Sequence, residues 1–237
     1  MEHLDLLEQQ LVQNSLPCDT KVLVRFEAYA ALLKQYNRVM NLTAKDSDFD
    51  IITRHFLDSV MLAKACSLEG KSLLDVGCGA GFPSLPCKIL YPEMPLFLLD
   101  ATEKKLKFLD AVIEQLKLKD ARTVYGRAET LAREADWREK FPLVTSRAVA
   151  RLSMLSELSL PFVQPDGLFA PLKLADHAAE LDAAQPRIQE LGGQMEEPFA
   201  YSLPGSDAAF CVLRIKKEGN TPPKYPRAFS AIKKDSP

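Results

Sequence analysis

Between residues 75 and 83 the chain reads Asp75-Val76-Gly77-Cys78-Gly79-Ala80-Gly81-Phe82-Pro83. Glycines at alternate positions let the backbone turn sharply and let a ligand lie against it without meeting a Cβ atom. Such a turn carries meaning only where a strand enters it and a helix leaves it. The flanks predict that form, with the apolar run Ser72–Val76 before the turn and a helix after it through about Leu90. A dinucleotide site would read G-x-G-x-x-G and rest a pyrophosphate on the helix N-terminus. Here Phe82 stands in the last glycine's place, and Asp75 precedes the first glycine. A carboxylate repels a pyrophosphate and attracts an ammonium. S-adenosylmethionine (SAM) carries an ammonium and a sulfonium and no phosphate, so the pattern favours SAM over NAD, with Asp75, Gly77, Gly79, Gly81 and Phe82 around it.

Asp100 ends the next apolar run, Leu96–Asp100, where a carboxylate can accept from both ribose hydroxyls. It could equally cap the helix that starts near Thr102, and Thr102 joins the candidate cofactor set. Ala128 and Glu129 follow a third strand, where an adenine edge would lie. Arg147 interrupts the run Val144–Val149 at the carboxyl edge of a fourth strand, so it either pairs with a carboxylate or meets a ligand.

These residues need a scaffold, and periodicity supplies one. Helical spacing covers 2–14 and 21–40, the latter with Val22, Phe26, Tyr29, Leu33 and Tyr36 on one face, and a third helix is predicted from Asp48–Asp50 to about Cys66. Beyond Gly70, strands at 72–76, 96–100, 123–126, 142–149 and 167–174 alternate with helices, including 102–117 and 175–191. The runs 199–203 and 210–217 pair as a terminal hairpin. The pattern predicts a doubly wound α/β fold with a seven-stranded, mostly parallel sheet and an N-terminal helical cap. The expected division is a cap over 1–66, a SAM-binding domain over 67–217 and a basic tail over 218–237.

Hydrophobic residues make up 47% and charged residues 26% of the 237, the balance of an ordinary globular protein rather than a disordered one. No apolar run is long enough to span a bilayer, and the acidic start MEHLDLLEQQLVQ is unlike a secretory signal, so a cytoplasmic protein is expected. The five cysteines form no C-x-x-C pair, and His3, His55 and His177 lie far apart, so neither a disulfide framework nor a metal site is expected. The net charge of −2 is unevenly spread: residues 211–237 hold seven Lys or Arg against Glu218 and Asp235. That basic end is either a phosphate-binding patch or a solvated tail.

Taken together, the chain resembles the ribosomal RNA small subunit methyltransferase G family, also called glucose-inhibited division protein B. The resemblance rests on Tyr36-Asn37-x-x-Met40-Asn41-Leu42-Thr43, Arg54-His55-x-x-Asp58-Ser59, the glycine turn with Phe82-Pro83, Ser146-Arg147-Ala148, and Lys224-Tyr225-Pro226-Arg227. Leu174 stands where the family more often has Gly, and the C-terminus stops slightly short. The resemblance implies a class I methyltransferase acting on N7 of a guanine in small-subunit (16S) ribosomal RNA near the decoding region. Naked RNA and the small ribosomal subunit both stay open as the substrate, and a monomer is expected. It implies that SAM touches Gly77, Phe82, Ala128, Glu129 and Arg147. Arg147 and His55 become the catalytic candidates. Asn41, Lys173, Lys216, Lys217, Lys224, Tyr225 and Arg227 become the candidate RNA contacts, with Tyr225 as a stacking platform. Three rivals keep different features: a nicotinamide oxidoreductase on the same fold, an RNA-binding assembly factor with a vestigial pocket, and a methyltransferase for another acceptor.

Overall fold

A computed structural model of the chain describes residues 1–175 and 178–235; His177 and the terminal Ser236-Pro237 lie outside the described residues. The cap opens with α1 (Leu4–Gln13) and α2 (Thr20–Met40), and the Asp19 carboxylate caps α2 by accepting from the Val22 amide at 2.8 Å. The predicted apolar stripe of α2 is the buried one: Val22, Phe26, Tyr29 and Leu33 all face inward. The third helix departs from expectation. Instead of one α-helix it runs as α3 (Asp48–Asp50), a π-helix (Ile51–Leu57), α4 (Asp58–Val60) and α5 (Leu62–Ala65). The widened turns rotate His55 and Asp58 relative to a regular helix, the kind of irregularity that accompanies functional sites.

The remaining chain alternates as predicted, through β1 (Leu73–Val76), α6 (Ser84–Leu90), β2 (Leu96–Asp100), α7 (Glu103–Gln115), β3 (Ala121–Tyr125), α8 (Ala128–Leu131), β4 (Phe141–Arg147), α9 (Leu152–Ser159), β5 (Val163–Leu174), α10 (Ala178–Glu190), β6 (Gly193–Ser202) and β7 (Ala209–Lys217). Sheet order is β3-β2-β1-β4-β5-β7-β6. The β3-β2-β1-β4-β5 pairings are parallel, and β7 runs antiparallel between β5 and β6. The expected seven-stranded α/β sheet is therefore the observed one. Two strands are longer than their apolar runs suggested: β5 begins at Val163 and β6 at Gly193.

Period-two alternation divides the core into two layers. Leu73, Leu96, Leu98 and Leu143 pack with the cap, α6 and α7, whereas Leu74, Val76, Leu99 and Val144 pack with α9 and α10. Leu7, Phe26 and Phe56 of the cap belong to the same hydrophobic cluster as the first strand face, so the cap shares a core with the sheet. The C-terminal segment is not frayed. Tyr225 and Ile232 are buried, and a short helix absent from the sequence reading, α11 (Phe229–Lys234), closes the chain.

Candidate functional site

β1 lies between β2 and β4, so the chain leaves the middle of the sheet in opposite directions, and the carboxyl ends of these strands frame a crevice. A cavity of about 540 Å³ occupies it. It is walled by Gly77–Ala80 and Phe82 from the turn, Leu99–Ala101 from β2, Gly126–Glu129 after β3, and Arg147–Val149 after β4. Leu42, Thr43 and His55 reach it from the cap and Phe229 from α11. That volume falls in the range of small-molecule and cofactor sites.

The glycines divide the work. A Cβ on Gly79, at φ +57°, would meet nothing nearer than the Gly77 carbonyl at 3.9 Å, so this backbone is left open to a ligand. Gly81, at φ +92°, does not line the cavity. A Cβ there would lie 2.5 Å from Leu85 Cδ1 and 2.8 Å from the Tyr29 hydroxyl, so Gly81 serves close packing of the turn rather than cofactor contact. Val149 folds back over Gly77.

Asp100 is held by two backbone amides. Its Oδ2 accepts from the Gly79 amide at 3.0 Å and its Oδ1 from the Thr102 amide at 2.8 Å, which fixes the carboxylate at the cavity wall. Lys105 stands 3.8 Å away. Thr102 itself is the N-cap residue of α7 and does not line the cavity; Ala101 does. Asp75 is fully buried and is likewise outside the lining. Its Oδ2 accepts from the Ser84 hydroxyl at 2.5 Å, while Oδ1 has no partner. Burial pushes its carboxyl up to about 7. Asp75 thus braces the turn from within rather than facing the cavity; what fits SAM on the cavity side is the open backbone at Gly79 with the fixed Asp100 carboxylate beside it.

His55 and Arg147 meet. The ring of His55 stacks on Phe82 at 4.7 Å between centroids, and its Nε2 donates to the Lys45 carbonyl at 2.9 Å, with the Thr43 hydroxyl 3.0 Å away. A carbonyl can only accept, so this network assigns the proton to Nε2 and leaves Nδ1 to accept from Arg147 Nη2 at 3.3 Å. Burial, together with the Arg147 charge, lowers His55 to about 4, so the ring is neutral at physiological pH. Arg147 also donates to Asp58 at 2.7 Å and lies over the Phe82 ring. Asn37 delivers Thr43 to this wall: its Nδ2 donates to the Thr43 carbonyl at 2.9 Å, and its Oδ1 accepts from the Thr43 amide at 2.9 Å.

The candidate RNA contacts scatter. Asn41 is the exposed left-handed C-cap of α2, beside the cavity residues Leu42 and Thr43 but not lining the cavity. Lys173 pairs with Glu180 at 2.6 Å in a second cavity of about 710 Å³ beside Ala148 and Val149. Lys216 and Lys217 need correction. β7 runs antiparallel to β5, so Lys216 lies opposite Leu168, at the far end of the sheet from the Arg147–Leu172 register. Lys217 is wholly buried, donating to the Leu160 carbonyl at 2.9 Å with Glu139 3.3 Å away. Lys224 is exposed and pairs with Glu190 at 2.7 Å. Tyr225 cannot be an open stacking platform: it is 4% exposed, under Arg187 and Lys224. Arg227 is not a free phosphate ligand, because it grips the buried Glu157 through Nε at 2.9 Å and Nη2 at 2.8 Å. Desolvation alone would make so buried a carboxylate costly, and it is offset by two cations, Arg187 and, from the basic C-terminal segment, Arg227.

Sequence reasoning missed Thr43, Arg127, Val149 and Phe229 as cavity residues. Thr43 was within reach, because the Asn41-Leu42-Thr43 motif had already been singled out; Phe229 had no local signal.

Comparisons with known proteins agree with this geometry. The family model for rRNA small subunit methyltransferase G matches residues 23–201. A relative of that name from Lachnoclostridium phytofermentans is 45% identical over 207 residues, 87% of this chain and 86% of the relative. One from Clostridium botulinum (strain Loch Maree) is 39% identical over 236 residues, 99% of each. Among solved structures, a SAM-dependent methyltransferase from Aquifex aeolicus aligns at a TM-score of 0.55 and 16% identity, covering 74% of this chain and 96% of that one. M. jannaschii TYW2 in complex with AdoMet aligns at 0.52 and 12%, covering 67% and 73%. At such identities these two speak for the class I methyltransferase fold alone. The sequence matches span most of the chain on both sides, and on that ground the protein belongs to the rRNA small subunit methyltransferase G family.

Proposed function

We propose that the chain methylates N7 of one guanine of 16S ribosomal RNA near the decoding region, as a cytoplasmic monomer. SAM-dependent methyl transfer to small-subunit ribosomal RNA is the activity of the family to which it belongs. No helix among the described residues is long and apolar enough to cross a membrane. The observation that carries the reading is the convergence of Gly79, Asp100, Gly126–Glu129 and Arg147 on one cavity at the switch point of the sheet.

In this reading Asp100 holds the ribose, Ala128 and Glu129 line the adenine edge, the open backbone at Gly79 receives the amino-acid half, and Arg147 meets its carboxylate. When bound, SAM supplies an electrophilic methyl on its sulfonium. Guanine N7 offers an in-plane lone pair and has no proton to lose, so no general base is required. His55 fits that demand: both ring nitrogens are engaged, and its low pKa keeps it a neutral wall. The protein's contribution is to align acceptor and donor and to keep water out, effects worth up to roughly 7–11 kcal/mol.

The target base would enter unstacked, past the cap. Residues 1–66 then roof the cavity, 67–217 hold the cofactor, and 218–237 close one side through Phe229. With Arg227, Tyr225 and Lys217 committed to internal partners, phosphate contacts fall to Lys45, Arg127 and Arg151, which are exposed at or beside the cavity. The test is transfer of labelled methyl from SAM to small ribosomal subunits lacking the modification, followed by mapping of the labelled nucleotide. Label on N7 of a single decoding-region guanine is expected. Label elsewhere in the RNA would overturn the assignment of the acceptor.

A further inference from the structure

Arg147 is held from behind. Its Nη1 donates to Asp58 Oδ2 at 2.7 Å and to the Arg54 carbonyl at 3.0 Å, its Nη2 faces His55, and its guanidinium carbon lies 4.9 Å from the centroid of Phe82. Asp58 is itself buried, and its other oxygen, Oδ1, accepts from the Tyr201 hydroxyl at 2.6 Å. Tyr201 comes from β6, the edge strand of the hairpin, 143 residues away in sequence. Its ring is packed between Phe199 and Phe210, at 6.0 and 5.9 Å between centroids, so the hydroxyl has little freedom to leave. Burial and the Asp58 charge push the phenol well above its ordinary range, which keeps it a donor.

A carboxylate bonded through one oxygen can rotate; one bonded through both has a fixed plane. The plane of Asp58 in turn fixes which edge of the guanidinium is occupied and which faces the cavity. An arginine fixed before its ligand arrives loses less side-chain freedom on binding. We propose that Tyr201 and Asp58 are positioning residues for Arg147, so that the antiparallel edge of the sheet, far from the glycine turn, sets cofactor affinity. The inference rests on the reading of the cavity as the SAM site.

Tyr201→Phe removes only the hydroxyl and leaves the aromatic stack intact. Titration calorimetry with SAM is compared for the wild type, Tyr201→Phe, Arg147→Ala and the double variant, with thermal melts of each ligand-free protein as a check on folding. Tyr201→Phe should weaken SAM binding about tenfold where Arg147 is present, the usual weight of a hydrogen bond to a charged group. In the Arg147→Ala background the same change should alter affinity by no more than about twofold, as expected of a residue that acts through its partner. Should Arg147→Ala fail to fold, Arg147→Lys replaces it, and again the hydroxyl should matter less there than beside arginine. Equal loss in both backgrounds, or no loss in either, overturns the proposal while SAM binding by the wild type still stands. A wild type that does not bind SAM overturns the cofactor reading itself.

Discussion

The phenol of Tyr29, in the middle of α2, donates a 2.5 Å hydrogen bond to the carbonyl of Ala80, inside the glycine turn. The two residues are fully or nearly buried, and the Tyr29 ring stacks on both Phe56 and Phe82. The cap is thereby tied to the backbone that forms the cavity floor. Tyr29→Phe keeps the stacking but strands a buried carbonyl, which costs about 1–3 kcal/mol. Urea unfolding should register that loss, and SAM affinity should fall with it. Unchanged stability would mean that the turn finds another donor.

Two buried groups should give the ligand-free protein opposite pH dependences. His55 titrates at about 4 in the fold against an ordinary 6.5, so its contribution is present above pH 6.5 and is lost as pH falls toward 4. The difference is on the order of 3 kcal/mol. Asp75 titrates at about 7 against an ordinary 3.8, so its contribution is present below pH 3.8 and is lost as pH rises through 7. Unfolding free energies of His55→Asn and Asp75→Asn, subtracted from the wild type across this range, should slope in opposite directions.

Phe229, at the start of α11, is 38% exposed and stands at the cavity wall beside Arg127, whose guanidinium lies 5.6 Å from its ring centroid. An aromatic side chain placed against the Gly126–Glu129 segment is suited to cover an adenine. Phe229→Ala should weaken SAM binding roughly tenfold, the upper end of what one aromatic contact contributes, while Phe229→Tyr should bind nearly normally. If SAM binding held and RNA affinity fell instead, Phe229 would belong to the acceptor side.

From sequence, Arg227→Ala is expected to weaken RNA binding and reduce its salt dependence while leaving SAM affinity alone. The structure adds a cost in stability, because Arg227 is the partner of a buried carboxylate. Glu157 is 1% exposed and would lose its bidentate guanidinium, keeping the backbone amide of residue 227 at 2.8 Å and Arg187 at 3.2 Å. A loss of about 3 kcal/mol in unfolding free energy is expected, with partial recovery in Arg227→Ala/Glu157→Gln, where the stranded charge is gone. A normal melting temperature with a smaller salt dependence of RNA binding would restore the original role.

What the sequence determined by itself was set by short-range physics. The alternation of Leu73–Val76 and Leu96–Asp100, the glycines after a strand, and an acid at the end of β2 are local patterns, and each landed where the periodicity placed it. The tertiary structure alone decided the partners. Nothing near Arg227 indicates that its carboxylate lies 70 residues earlier, and nothing near Tyr201 points to Asp58. A charge displayed in a linear sequence looks solvated; whether it stays so depends on which buried group, brought up by a distant element, would otherwise remain unpaired. The antiparallel hairpin itself was legible, but the insertion of β7 between β5 and β6 was not, and its register on β5 carries Lys216 and Lys217 away from the cavity. Residue type and spacing specified the cofactor crevice, whereas the desolvation of particular charges specified which cations remained exposed beside it.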